Sequence, residues 1–150
     1  MDAIFTKKQL GVRYSEEKIV RILQQEHNRI ILQTGDGESD YINAIRVNGY
    51  NTSNKYLCCR GPLQSTAEDF WKMVFADQSR VIVMLFKAQE EKREACYQYL
   101  NPKKGKIVIY GNFTIQTVKV KAFRDHVVTK LWVTHDNGDT LDVTHFTYTD

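Results

Sequence analysis

Asp40-Tyr41-Ile42-Asn43-Ala44, Gly61-Pro62-Leu63, Glu68-Asp69-Phe70-Trp71-Lys72-Met73-Val74 and Arg80-Val81-Ile82-Val83-Met84-Leu85 follow one another closely, and their reading decides the fold. Residues 41–47 form an extended run. With the short apolar run 29–33 and the turn residues Thr34-Gly35-Asp36-Gly37 between them, they read as a β-hairpin with a polar tip. Residues 48–54 read as a second turn and 55–59 as a third strand, which Gly61-Pro62 breaks. Ser65 with Glu68 three residues on is a capping-box signal. Ala67, Phe70, Trp71, Val74 and Phe75 then make one broad apolar helix face, so these aromatics are expected in a core rather than around a cofactor. Residues 81–86 are apolar without alternation, as expected of a strand covered on both faces.

Towards the N-terminus, residues 5–14 show no clean period. From Ser15 to Gln25, Ile19, Val20, Ile22 and Leu23 fall at helical spacing, which predicts a short amphipathic helix. Towards the C-terminus, a charged surface segment at 90–94 precedes a β-rich tail with strands expected at 107–110, 113–120, 127–133 and 140–148. Asn137-Gly138 is the strongest hairpin signal in the chain.

Composition narrows the classes. In 150 residues, 42% hydrophobic and 26% charged content describes one globular domain with its own core. A net charge of +3 is too small to argue for nucleic acid, and the basic run Lys103-Lys104-Gly105-Lys106 sits in turn chemistry beside Pro102. No stretch of 18 apolar residues occurs, and the first residues lack the apolar centre of a secretory signal, so no membrane span and a cytoplasmic location are expected. Cys58, Cys59 and Cys96 are odd in number and include an adjacent pair, which argues for a reducing compartment. The histidines His27, His126, His135 and His145 are scattered, so neither a metal nor a cofactor is expected.

The four blocks, in order and spacing, resemble the N-terminal half of the catalytic domain of the protein tyrosine phosphatase family. Asp40, Tyr41 and Asn43 stand in its Asp-Tyr-Ile-Asn-Ala block. Gly61 and Pro62 belong to its Gly-Pro-Leu block, and Asp69, Phe70 and Trp71 to its Asp-Phe-Trp-x-Met-Val block. Val143-Thr144-His145-Phe146-Thr147-Tyr148 is similar to the family's Val-x-His-Phe-x-Tyr, and Glu90 matches an acidic residue that braces the catalytic Arg. The resemblance implies an N-terminal extension over residues 1–16 and a partial phosphatase-like domain over 17–150. The implied fold is α/β, a twisted mixed sheet flanked by helices.

That family removes phosphate from phosphotyrosine with a Cys thiolate in a His-Cys-x5-Arg loop and an Asp general acid in a Trp-Pro-Asp loop. Neither motif is present: no cysteine here follows a His or precedes an Arg by six positions. Ungapped alignment places Ile19 and Arg21 where the family has the Tyr that stacks on phosphotyrosine and the Asp that holds the peptide backbone. A gapped alternative would use Arg13-Tyr14 instead.

These departures imply a chain that is itself catalytically inactive, either a fragment of a phosphatase or a pseudophosphatase that binds or regulates. Its partners are expected among phosphotyrosine-signalling proteins or a polypeptide that completes the sheet. The family's nucleophile-bearing strand lies centrally in the sheet and is missing here. The strand at 81–86 is therefore expected to expose unpaired backbone and apolar surface.

Overall fold

The computed structural model describes residues 3–5, 28–35, 37, 39–53, 55–85 and 96–149, with the backbone alone for 3–5. In chain order the elements are β1 (Ala3–Phe5), β2 (Arg29–Ile31), β3 (Tyr41–Val47), β4 (Tyr56–Cys59), a 3-10 turn (Gln64–Thr66), α1 (Ala67–Ala76), β5 (Val81–Met84), β6 (Ile107–Tyr110), β7 (Phe113–Ala122), β8 (His126–His135) and β9 (Thr140–Tyr148). The strands form one mixed sheet in the order β2-β3-β4-β1-β5-β9-β8-β7-β6. β4, β1, β5 and β9 run parallel, and antiparallel hairpins extend the sheet on both sides. The α/β class expected from the sequence is the one observed.

Hydrophobic alternation sets which side of the sheet is dry. Along β8, Thr129, Leu131 and Val133 are buried while Lys130 and Trp132 between them are exposed. Leu141 and Val143 of β9 and Phe113 and Ile115 of β7 join the same core as Phe70, Trp71, Met73 and Val74 of α1. The helix therefore covers one face of the β7–β9 sheet. On the other face Trp132 is 47% exposed, registered between Gln116 and Asp142.

Local chemistry closes the turns. At the Asn137-Gly138 tip, Gly138 takes φ +93°, and the Asn137 side-chain oxygen accepts a bond from the Asp139 N–H. This position needs a residue that tolerates positive φ. The hairpin predicted there is present, with β8 and β9 in register from His126↔Tyr148 to Thr134↔Thr140.

Two differences from the sequence reading have physical causes. The capping box at Ser65 and Glu68 does not form. The chain enters α1 through a tighter 3-10 turn, in which Thr66 Oγ1 accepts the Leu63 N–H, and Glu68 instead pairs with Lys72 at 3.0 Å. Secondly, the gap beside β5 is filled: β1, where the sequence reading placed no strand, lies between β4 and β5. Three residues are too few to display a period, and only the long-range pairing defines them as a strand. The helix predicted over 15–25 lies outside the described residues.

Candidate functional site

Because β4, β1, β5 and β9 are parallel, their carboxyl ends share one edge of the sheet, where open α/β sheets place their ligand crevices. β3 runs the opposite way and begins at that edge, so Tyr41 and Asn43 reach it from the other direction. The Arg60 N–H donates to the Asn43 carbonyl at 3.3 Å. Gly61 and Pro62 follow β4 at this edge and are buried, and the Pro62 carbonyl accepts the Tyr97 N–H at 2.8 Å.

Below the edge lies an aromatic cluster. Phe70 and Trp71 project from α1, and their rings lie 4.7 and 6.1 Å from that of Tyr99. The Trp71 indole N–H donates to the Tyr99 carbonyl at 3.0 Å. The Tyr99 hydroxyl lies 2.7 Å from His145 Nε2, and Thr147 Oγ1 lies 3.1 Å from Nδ1. Burial pushes the His145 pKa down to about 4, so the ring is neutral at pH 7. Tyr99 has no other hydroxyl partner among the described residues, so donating its proton to Nε2 satisfies both groups and leaves Nδ1–H for Thr147.

Several of the motif residues singled out in the sequence are thus brought together, but as structure rather than as reactive surface. Phe70, Trp71 and His145 are almost wholly buried. Asp69 stands on α1 within 4.0 Å of Lys72. Asp40 forms a two-pronged pair with Arg29 at 3.3 Å, which pins β2 to β3, and Tyr41 beside it is 60% exposed. Asn43 Oδ1 is buried without a hydrogen-bond partner among the described residues. Ile19, Arg21 and Glu90 lie outside the described residues. Sequence reasoning missed Tyr99, since a lone tyrosine in an irregular segment carries no periodic signal.

The thiols are in the wrong environment for nucleophilic chemistry. Burial, with the neighbouring Cys58 and Cys96 adding to it, pushes Cys59 up to about 12; burial alone pushes Cys96 up to about 11. Reactive thiolates need the opposite shift, brought about by nearby positive charge or a helix N-terminus. Among the described residues a depression of about 560 Å3 beside the loop is lined by Leu63, Gln64, Ser65, Cys96 and Tyr97. Among the described residues no group of three or more His, Cys, Asp or Glu could hold a metal ion, and no helix is long and apolar enough to cross a membrane.

A mixed sheet with its motif loops gathered at the carboxyl edge of four parallel strands is the scaffold of a phosphatase-like α/β protein. The protein-tyrosine phosphatase family model matches residues 14–150, and the chain belongs to that family. It is 43% identical over 126 residues to tyrosine phosphatase-like protein J1 of Microplitis demolitor bracovirus, covering 83% of this chain and 42% of that protein. Against tyrosine phosphatase H2 of the same virus it is 37% identical over 142 residues, covering 93% of this chain and 43% of that protein. Mouse receptor-type tyrosine-protein phosphatase epsilon is 40% identical over 114 residues, which is 75% of this chain and 16% of the receptor. The chain spans less than half the length of each of these relatives.

Proposed function

We propose that these 150 residues are the non-reacting half of a phosphatase domain: they carry the scaffold for phosphotyrosine dephosphorylation by a complete domain and do not themselves hydrolyse phosphate esters. The observation that supports this best is the chemistry of the thiols. No His-Cys-x5-Arg motif is present, and Cys59 and Cys96 are held protonated by burial rather than activated. The free cysteines favour a reducing, cytoplasmic setting.

The test is hydrolysis of p-nitrophenyl phosphate and of a phosphotyrosine peptide by the purified chain. Release of phosphate at the buffer rate is expected. Turnover that vanadate blocks, and that a single Cys→Ser change abolishes, would overturn the proposal.

A second reading, a pseudophosphatase that works by binding, follows from the ungapped alignment, which puts Ile19 and Arg21 at the positions of the family's stacking Tyr and backbone-holding Asp; the gapped alternative with Arg13-Tyr14 does not support it. An aliphatic side chain and a cation there remove the π-face and the anionic acceptor that phosphotyrosine peptides use, so any partner in phosphotyrosine signalling is engaged through another surface. Calorimetry with matched phosphorylated and unphosphorylated peptides is expected to show no preference for the phosphorylated form. A clear preference for it would restore the recognition loop.

A further inference from the structure

β6 is the outermost strand of the sheet, and among the described residues it pairs with β7 alone. The two-residue turn Gly111-Asn112 sets the phase of that pairing. In such a hairpin the pair next to the turn exchanges both main-chain bonds, and the following pair exchanges none. Tyr110↔Phe113 and Val108↔Ile115 are therefore the bonded pairs, and Ile107 and Ile109 aim their N–H and C=O groups away from the sheet. Their side chains lie on the face opposite α1, 52% and 68% exposed, while Val108 and Tyr110 pack against the core.

Edge strands are ordinarily blunted by a charge, a proline or a bulge. Residues 107–110 read Ile-Val-Ile-Tyr, uncharged and mostly β-branched, and they pair with β7 without a shift of register. Charge stands at the two ends instead. The Thr117 N–H donates to the Lys106 carbonyl at 2.9 Å, so the pairing with β7 runs one residue further back, and alternation puts Lys106 on the α1 side of the sheet. At the other end the Glu68 carboxylate of α1 lies against Gly111, on that same side.

We propose that β6 is a self-docking edge: two copies of the chain join β6 to β6 antiparallel about a two-fold axis, with Val108 opposite itself and Ile107 opposite Ile109 of the second copy. In this register the outward N–H and C=O groups of Ile107 meet those of Ile109 of the second copy, and the four isoleucines pair on the face opposite α1. Lys106 then falls opposite Tyr110 of the second copy, one residue from Gly111 and within reach of Glu68 there, and the symmetry makes this ion pair twice. A strand of another protein offers the main-chain bonds but not this charge pairing, which is why the second copy is the occupant. Four residues a side bury less than a standard interface, so the dimer is weak and forms as concentration rises. The inference rests on the edge strand and holds whether or not the chain hydrolyses phosphate.

The test is sedimentation velocity of the full chain over about 5–500 μM. The 17.5 kDa monomer is expected to give way to a dimer as concentration rises. Ile109→Lys sets a charge against Ile107 of the second copy, at a side chain that folding leaves exposed, and is expected to raise the half-dimerisation concentration about tenfold or more. Lys106→Glu and Glu68→Lys are each expected to weaken the dimer, and the two together to recover it. A dimer indifferent to Ile109→Lys would overturn the proposal, as would a double variant no better than either single one, or assembly beyond the dimer. So would a chain that stays monomeric at every concentration; binding of a fluorescein-labelled Thr-Val-Thr-Val-Thr peptide by that monomer would point to a strand of another protein as the occupant. If circular dichroism shows Ile109→Lys to be unfolded, the charge exchange decides the question by itself.

Discussion

Tyr99 Oη lies 2.7 Å from His145 Nε2, and both side chains are buried, on a strand and on a segment that come from residues 46 positions apart. The pair joins the irregular segment after residue 95 to the parallel half of the sheet. The Trp71 indole, bonded to the Tyr99 carbonyl, joins the same segment to α1. One tyrosine thus fastens the helix layer to the strand layer.

The pair makes stability depend on pH in a defined direction. His145 titrates at about 4 in the folded protein against 6.5 for the free side chain, so between these values the unfolded state binds the extra proton. Stability contributed by the neutral ring is complete above pH 6.5 and falls as pH drops towards 4, by about 3 kcal/mol at most. Below pH 4 this contribution is exhausted. Urea midpoints measured at pH 7 and pH 4.5 are expected to differ, and His145→Gln is expected to reduce that difference.

Trp71→Phe removes the donor to the Tyr99 carbonyl and leaves a void in a wholly buried position. The expected loss is about 2–4 kcal/mol from the cavity together with the unpaired carbonyl. Urea unfolding followed by circular dichroism measures it. Trp132→Phe, at a half-exposed indole on the face opposite α1, is expected to change stability little.

Gly111 joins β6 to β7 with φ +53°, and a Cβ there would run into the Glu68 carboxylate. Gly111→Ala is expected to cost about 1–2 kcal/mol for the left-handed backbone alone. It also drives Glu68 away from Lys72, an exposed pair whose loss adds little. Thermal melts of Gly111→Ala and of Glu68→Ala together with Gly111→Ala separate the two contributions. Relief of the clash in the double variant should recover only the smaller part of the loss.

The buried thiols give a chemical readout. With Cys59 raised to about 12 and Cys96 to about 11, neither is expected to react with a disulfide reagent at pH 8 as fast as free cysteine does. In strong urea all three cysteines should react at the rate of exposed thiols. Fast labelling of Cys59 in the folded chain would show that its surroundings are wetter or more positive than the structure has them.

Much of this molecule was legible in the residues because the signals are local. Alternation along residues 140–148 gave a strand with the observed bounds, Asn137-Gly138 gave its hairpin, and Phe70, Trp71 and Val74 gave the buried face of α1. The motif order gave the family, and the family model agrees. The α1 entry was placed one residue early, at Ser65 rather than Thr66, because both are capping residues and only the 3-10 geometry chooses between them.

What the sequence determined by itself is whatever depends on neighbours a few positions apart: the strand and helix periods, the turn at a positive-φ glycine, and the absence of the catalytic motifs. The tertiary structure decided the rest. That Ala3–Phe5 lies at the centre of the sheet, that Tyr99 meets His145, and that Cys59 is buried beside Cys58 and Cys96 all depend on pairings across long stretches of chain. Such pairings are selected by the closing of the whole sheet over one core, and no local pattern in the residues encodes them.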